Sequence, residues 1–106
     1  MQILEYLDAT GRSPFAEWFG RLDAQAAAKV TVALTRIEQG NLSSVKGVGT
    51  SVLEYRINFG PGYRIYFGKD GDSVVILLAG GSKARQQNDI AAAEMRWTDY
   101  KKRKKA

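Results

Sequence analysis

The stretch Leu53-Glu54-Tyr55-Arg56-Ile57-Asn58-Phe59-Gly60-Pro61-Gly62-Tyr63-Arg64-Ile65-Tyr66-Phe67 decides how this chain folds. Leu53, Tyr55, Ile57 and Phe59 alternate with Glu54, Arg56 and Asn58, the period of a strand with one apolar face. Gly60-Pro61-Gly62 reads as a turn. Tyr63, Ile65 and Phe67 then alternate with Arg64 and Tyr66. A three-residue loop sets Phe59 opposite Tyr63, Ile57 opposite Ile65 and Tyr55 opposite Phe67, which keeps the apolar face continuous. A two-residue loop would put Ile57 opposite Arg64 and flip one strand. In the three-residue register Arg56 faces Tyr66 and Asn58 faces Arg64. The two arginines are then diagonal neighbours on the polar face, turned away from the helices and into solvent.

Outward from this hairpin, residues 2–7 read as a first short strand. Ser13 followed by Pro14 is a helix start, and the helix carries Phe15, Trp18 and Phe19. Asp23 caps a second helix, on which Val30, Ala33, Leu34 and Ile37 form one apolar stripe and which Gly40 stops. Residues 41–50 hold two glycines and no periodicity, so they are expected to be a loop. After the turn Lys69-Asp70-Gly71-Asp72, residues 73–79 are apolar on both faces, as a central strand should be. Ser82 can cap a last helix from Lys83 to about Tyr100, with Gln86, Ile90, Ala93, Trp97 and Tyr100 on one stripe. The order β-α-α-β-β-β-α gives an α+β domain. Two N-terminal helices and a C-terminal helix pack on one face of a mainly antiparallel four-stranded sheet. Residues 1–100 form the domain and 101–106 a basic tail.

The 106 residues suit one small domain, with 44% hydrophobic and 25% charged residues in an ordinary globular balance. The absence of cysteine removes disulfides and thiolate chemistry, and the absence of histidine removes imidazole metal sites and the commonest general base. No apolar run approaches the roughly 20 residues of a membrane span, and Met1 leads into folded-looking sequence, so a cytoplasmic protein without a membrane partner is expected. The net charge of +5 is uneven. Residues 1–100 hold 11 Lys/Arg and 11 Asp/Glu, so the excess lies in Lys101, Lys102, Arg103, Lys104 and Lys105. Such a run is either a solvated tail or an attraction for phosphate backbones or an acidic partner.

The residues that could do chemistry are cationic. Glu54 is the only acid on the polar sheet face, no three carboxylates converge on a metal, and neither glycine pair has phosphate-loop spacing. Arg56, Arg64 and Tyr66 share that face, with Lys46 in the preceding loop and Lys83 at the start of the last helix. Two readings stay open. One is a solvated polar face in which Glu54 pairs with Arg56. The other is an anion site, since arginine forks suit phosphate and aromatic rings can stack unpaired bases.

The segments 53–58 and 62–67, with Val75-Ile76-Leu77-Leu78-Ala79-Gly80-Gly81-Ser82-Lys83 and Gln86-Gln87-Asn88-Asp89-Ile90, resemble a known family. It is the phage-derived addiction module killer protein group of the RelE/HigB/ParE toxin superfamily, matched over roughly residues 2–98. The resemblance implies a RelE-like fold and a toxin of a type II toxin–antitoxin pair. Its activity would be metal- and cofactor-free cleavage of mRNA, on the ribosome in RelE-like members, by attack of the RNA's own 2′-OH. A non-enzymatic ParE-like inhibitor of a topoisomerase, or a relative that only binds antitoxin, is the alternative. Carried over residue by residue, Arg56 and Arg64 take the scissile phosphate and Lys83 the substrate backbone. Lys46 serves as base or phosphate contact, and Tyr66 stacks a base or assists proton transfer. Arg85, Lys101, Lys102 and Arg103 add RNA contacts. Several relatives use histidines and a near-C-terminal tyrosine; here only Tyr100 offers a loose match. Gln86, Asp89 and Ile90 are expected to be structural. The implied partners are mRNA, the ribosome and a cognate antitoxin, a helix-turn-helix protein from an adjacent gene.

Overall fold

The computed structural model describes residues 1–105. The element order is β1 (Gln2–Glu5), α1 (Pro14–Gly20), α2 (Ala24–Glu38), β2 (Val45–Val48), β3 (Val52–Ile57), β4 (Tyr63–Asp70), β5 (Val74–Ser82), a short 3-10 turn (Lys83–Arg85) and α3 (Gln86–Lys105). The caps are those the sequence specifies. The Ser13 hydroxyl accepts from the Ala16 amide with Pro14 in the first turn, and the Asp23 carboxylate accepts from the Ala26 amide. Gly40, at φ +78°, lets the chain leave α2 through the left-handed region.

The sheet has five strands in the order β1-β5-β4-β3-β2, and β1 runs parallel to β5. It is therefore mixed, with one strand more than expected. The added strand, β2, lies in the segment read as a loop. Its four residues pair antiparallel with Val52–Tyr55 through a turn at Gly49, and Gly47 within it hides so short an edge strand from any periodicity count. Glu94 of α3 fastens the turn by accepting from the Thr50 hydroxyl at 2.8 Å.

Helices cover both faces of the sheet rather than one. Val75 and Leu77 of β5 join Tyr55, Ile57, Ile65 and Phe67 under α1 and α2, whereas Ile76 and Leu78 join Val52 and Tyr66 under Ala93 and Trp97 of α3. The two-sided apolar pattern of β5 is the reason: alternate residues point to opposite faces, so each face needs its own cover. α3 thus lies on the face expected to be open.

The hairpin register also differs. Ile57 pairs with Tyr63, Tyr55 with Ile65, and Arg56 with Arg64, across a five-residue connection in place of the expected three. Gly60 and Gly62, at φ +56° and +76°, make the wider turn, inside which the Gly62 amide donates to the Phe59 carbonyl. A two-residue shift preserves every side chain's face, so the apolar pattern is unchanged. The arginines move from diagonal to directly opposite.

The basic residues 101–105, expected as a tail, are the last turns of α3, while Ala106 lies outside the described residues. Cations at a helix C-terminus meet the negative end of its dipole. Two of them also reach the sheet end of the molecule. Lys104 pairs with Asp70 at 2.5 Å, and Arg103 donates to the Leu7 carbonyl at 2.6 Å and the Tyr6 hydroxyl at 3.1 Å. No helix is long and apolar enough to cross a membrane among the described residues.

Trp97 docks flat on β4 because Gly68 has no side chain; a Cβ there would lie 2.5 Å from the indole. Gly68→Ala is expected to lower stability by about 1–3 kcal/mol, the usual cost of forcing atoms into a filled core. Denaturant unfolding of the variant beside the parent protein measures it.

Candidate functional site

The centre of the polar network is Glu54. Its side chain is wholly buried, at 0% exposure, on the face of β3 that meets the start of α3. Arg56 Nε donates to Glu54 Oε1 at 3.0 Å, Arg64 Nε lies 3.5 Å from Oε2, and Gln86 Nε2 donates to Oε2 at 2.9 Å. Strand alternation puts Glu54 and Arg56 on one face, and cross-strand pairing brings Arg64 opposite Arg56. Like charges directly opposite repel. One carboxylate between them removes most of that repulsion and leaves the cluster with a net positive charge.

Burial alone would raise the Glu54 pKa, but the hydrogen bonds from Gln86 and Arg56 and the charge of Arg64 outweigh it and hold the carboxyl below its ordinary value. The fold therefore favours the carboxylate. Its contribution is present at neutral pH and is lost as pH falls through the depressed folded-state value.

The sequence-derived residues separate into three groups. Arg56 is the open member of the cluster, with its side chain 45% exposed. Arg64, expected in solvent, is buried at 7%, with Nη1 donating to the Gly62 carbonyl at 2.9 Å. Its burial follows from α3, which covers this part of the face. Tyr66 is fully buried under the same helix, so its ring cannot stack a base. Burial together with the neighbouring Glu54 carboxylate pushes its pKa up, which keeps it a phenol. Lys46, in β2 rather than a loop, is exposed and opposite Glu54. Lys83 is exposed beside the 60–62 turn, where its Cβ would lie 3.5 Å from a Cβ on Gly62 and its amide donates to the Pro61 carbonyl at 3.4 Å. Arg56, Lys46 and Lys83 thus rim the uncovered part of the face, with Arg64 beneath.

The remaining candidates lie elsewhere. Arg85 lies on the other flank of α3. Lys101, Lys102 and Arg103 are separated from Gln86 by more than about 20 Å of helix, at 1.5 Å per residue. Tyr100 donates to Asp70 at 2.7 Å, at the end of β4 remote from Arg64, so the loose match to a near-C-terminal tyrosine is not part of this site. Gln86 is more than a packing residue, since it ties α3 to Glu54; the shared parity of 54, 56, 64 and 66 was the sequence signal for that cluster. Among the described residues, no three acidic side chains lie close enough to hold a metal.

A mixed sheet between helices, with a basic rim braced on one buried carboxylate, defines a small α+β protein with a net-positive side-chain cluster at the start of α3. The chain belongs to the phage-derived protein Gp49-like family, whose model matches residues 17–98. It is also 37% identical over 82 residues to an uncharacterised protein of Haemophilus influenzae, covering 76% of this chain and 83% of that one.

Glu54→Ala leaves two guanidiniums against an apolar layer without their anion. The expected loss is about 3 kcal/mol at neutral pH, the low end for a broken buried pair because Arg56 retains water. The variant should also lose part of the parent's destabilisation in acid. Urea unfolding at neutral and acid pH reads both effects.

Proposed function

We propose that this protein is the toxin of a type II toxin–antitoxin pair and acts as a metal-independent endoribonuclease on mRNA, at the ribosome. The observation that carries the proposal is the exposed Arg56 fork, oriented by buried Glu54 and backed by Arg64, with Lys46 and Lys83 on its rim. Family membership and the resemblance to addiction-module toxins support it.

The chemistry asks for no enzymic nucleophile. The RNA 2′-oxygen bonds to phosphorus, the phosphorus–O5′ bond breaks, and a 2′,3′-cyclic phosphate and a 5′-hydroxyl result. Arg56 contacts the phosphate as negative charge grows on it, and its hydrogen bond to Glu54 fixes the fork before the reaction. Arg64 acts as a fixed positive charge behind it. Lys83 holds the substrate backbone. Lys46 contacts the phosphate, solvent takes the 2′-proton, and solvent returns a proton to the leaving oxygen. Tyr66 has no part in contacting substrate. A cationic site harmful to its own cell needs a cover, so a cognate antitoxin with an acidic or mixed segment completes the proposal. The two proteins should co-migrate in size exclusion at low salt.

Arg56→Ala should reduce cleavage by about 10²–10³, as deletions of a transition-state donor do. Arg56→Lys should stay impaired for want of a bidentate fork. Both variants must be compared at matched folded fraction, because Arg56 also stabilises buried Glu54. Lys83→Ala, at an exposed position, should lose activity with stability within about 0.5 kcal/mol of the parent. Pulsed expression followed by primer extension checks all three. Intact transcripts with a DNA-damage response would instead favour a topoisomerase-binding inhibitor.

A further inference from the structure

A second cationic site lies on the other flank of α3. β1 pairs with β5 only as far as Leu77, so among the described residues the edge of β5 beyond it has no neighbouring strand. Between α1 and α3 this edge floors a cleft of about 570 Å³. Gly80 and Gly81 make it possible. A Cβ on Gly80 would lie 2.0 Å from the Trp18 ring of α1, and one on Gly81 would lie 1.8 Å from Asp89 Oδ2 of α3.

Three arginines line the cleft: Arg21 from the end of α1, and Arg85 and Arg96 from the α3 side. Arg96 is anchored, its Nη1 donating to the Leu78 carbonyl at 2.9 Å. Arg21 and Arg85 are exposed, and neither is within ion-pair distance of a carboxylate among the described residues. Among the described residues, Asp89 is the only acid in the lining, and its Oδ2 is buried without a hydrogen-bond partner. The 3-10 turn that leads into α3 borders the cleft. The turn joins the two flanks: Lys83 sits on the Arg64 side and Arg85 in the cleft.

We propose that this cleft is a binding site for single-stranded RNA, seating a nucleotide further along the strand that passes Arg56, with its phosphate on Arg21 and Arg85 and its base against Trp18. The inference rests on the nuclease reading for the identity of the substrate. Lys83 and Arg85 carry the strand around the start of α3, which turns the proposed cleavage site and the cleft into one basic path. Trp18 is half-buried and offers an aromatic wall to an unpaired base. Asp89, as the one negative group, limits the affinity of the site.

The test is fluorescence anisotropy with a labelled 2′-O-methyl hexaribonucleotide, which cannot be cut because its 2′-oxygens carry no proton. Arg21→Glu and Arg85→Glu should each bind at least about tenfold more weakly at low salt. The slope of log affinity against log salt should fall by about 0.7 for each lost phosphate contact. Asp89→Asn should bind more tightly than the parent. Thermal melts confirm that the variants at these exposed arginines are folded. Parent-like affinity and slope in both arginine variants overturn the inference, as does a parent protein that binds no RNA. If only Arg56→Ala loses binding, the cleft is off the path and the nuclease reading stands. If the cleft variants lose binding but the parent leaves unmodified mRNA uncut on ribosomes, the cleft stands and the nuclease reading falls.

Discussion

A carboxylate at 0% exposure between two guanidiniums is a demanding arrangement, and most of the polar architecture depends on it. Without Glu54, Arg56 and Arg64 would face each other across adjacent strands with nothing to offset their charges. With it, the hairpin can close in a register that brings them together, and Gln86 gives α3 a polar anchor on the sheet. The same carboxylate would be costly to bury alone, so each member of the cluster depends on the others. The one degree of freedom left is the outward half of Arg56, where the proposed chemistry is placed.

α3 sets the boundary of that site. Its apolar stripe, from Ile90 through Ala93 to Trp97, seals Tyr66, while its first turn reaches Glu54 through Gln86 and leaves Arg56 open. Close approach of helix to sheet depends on missing side chains. Gly68 admits Trp97, Gly81 admits Asp89, and on the opposite face Gly80 admits Trp18. The glycine pair at 80–81 is thus a packing device for two helices, one on each face of β5. The room it leaves at the strand edge is the cleft. At its other end α3 is held by Lys104 on Asp70 and by Arg103 on Tyr6, so a run of positive charge that could have stayed in solvent is partly structural.

Much of this was legible along the chain. Local signals determined the helices and their starts, since Ser13, Asp23 and Gly40 act through bonds and dihedrals within a few residues. Period-two alternation determined which residues of β3 and β4 share a face, and so grouped Glu54, Arg56, Arg64 and Tyr66. It could not choose between three and five residues in the connection, because both keep that parity and differ only in which pairs meet. β2 left no pattern because an edge strand of four residues with a glycine in it exists only through its partner. What the tertiary structure alone decided was where α3 lies. Whether a half-polar sheet face meets water or a helix depends on the summed apolar area of Tyr66, Ile76, Leu78 and Trp97, which are distant in sequence and meet only once the sheet has formed. That placement buried Arg64 and Tyr66, left Arg56 open, and opened a cleft between helices that no single segment encodes.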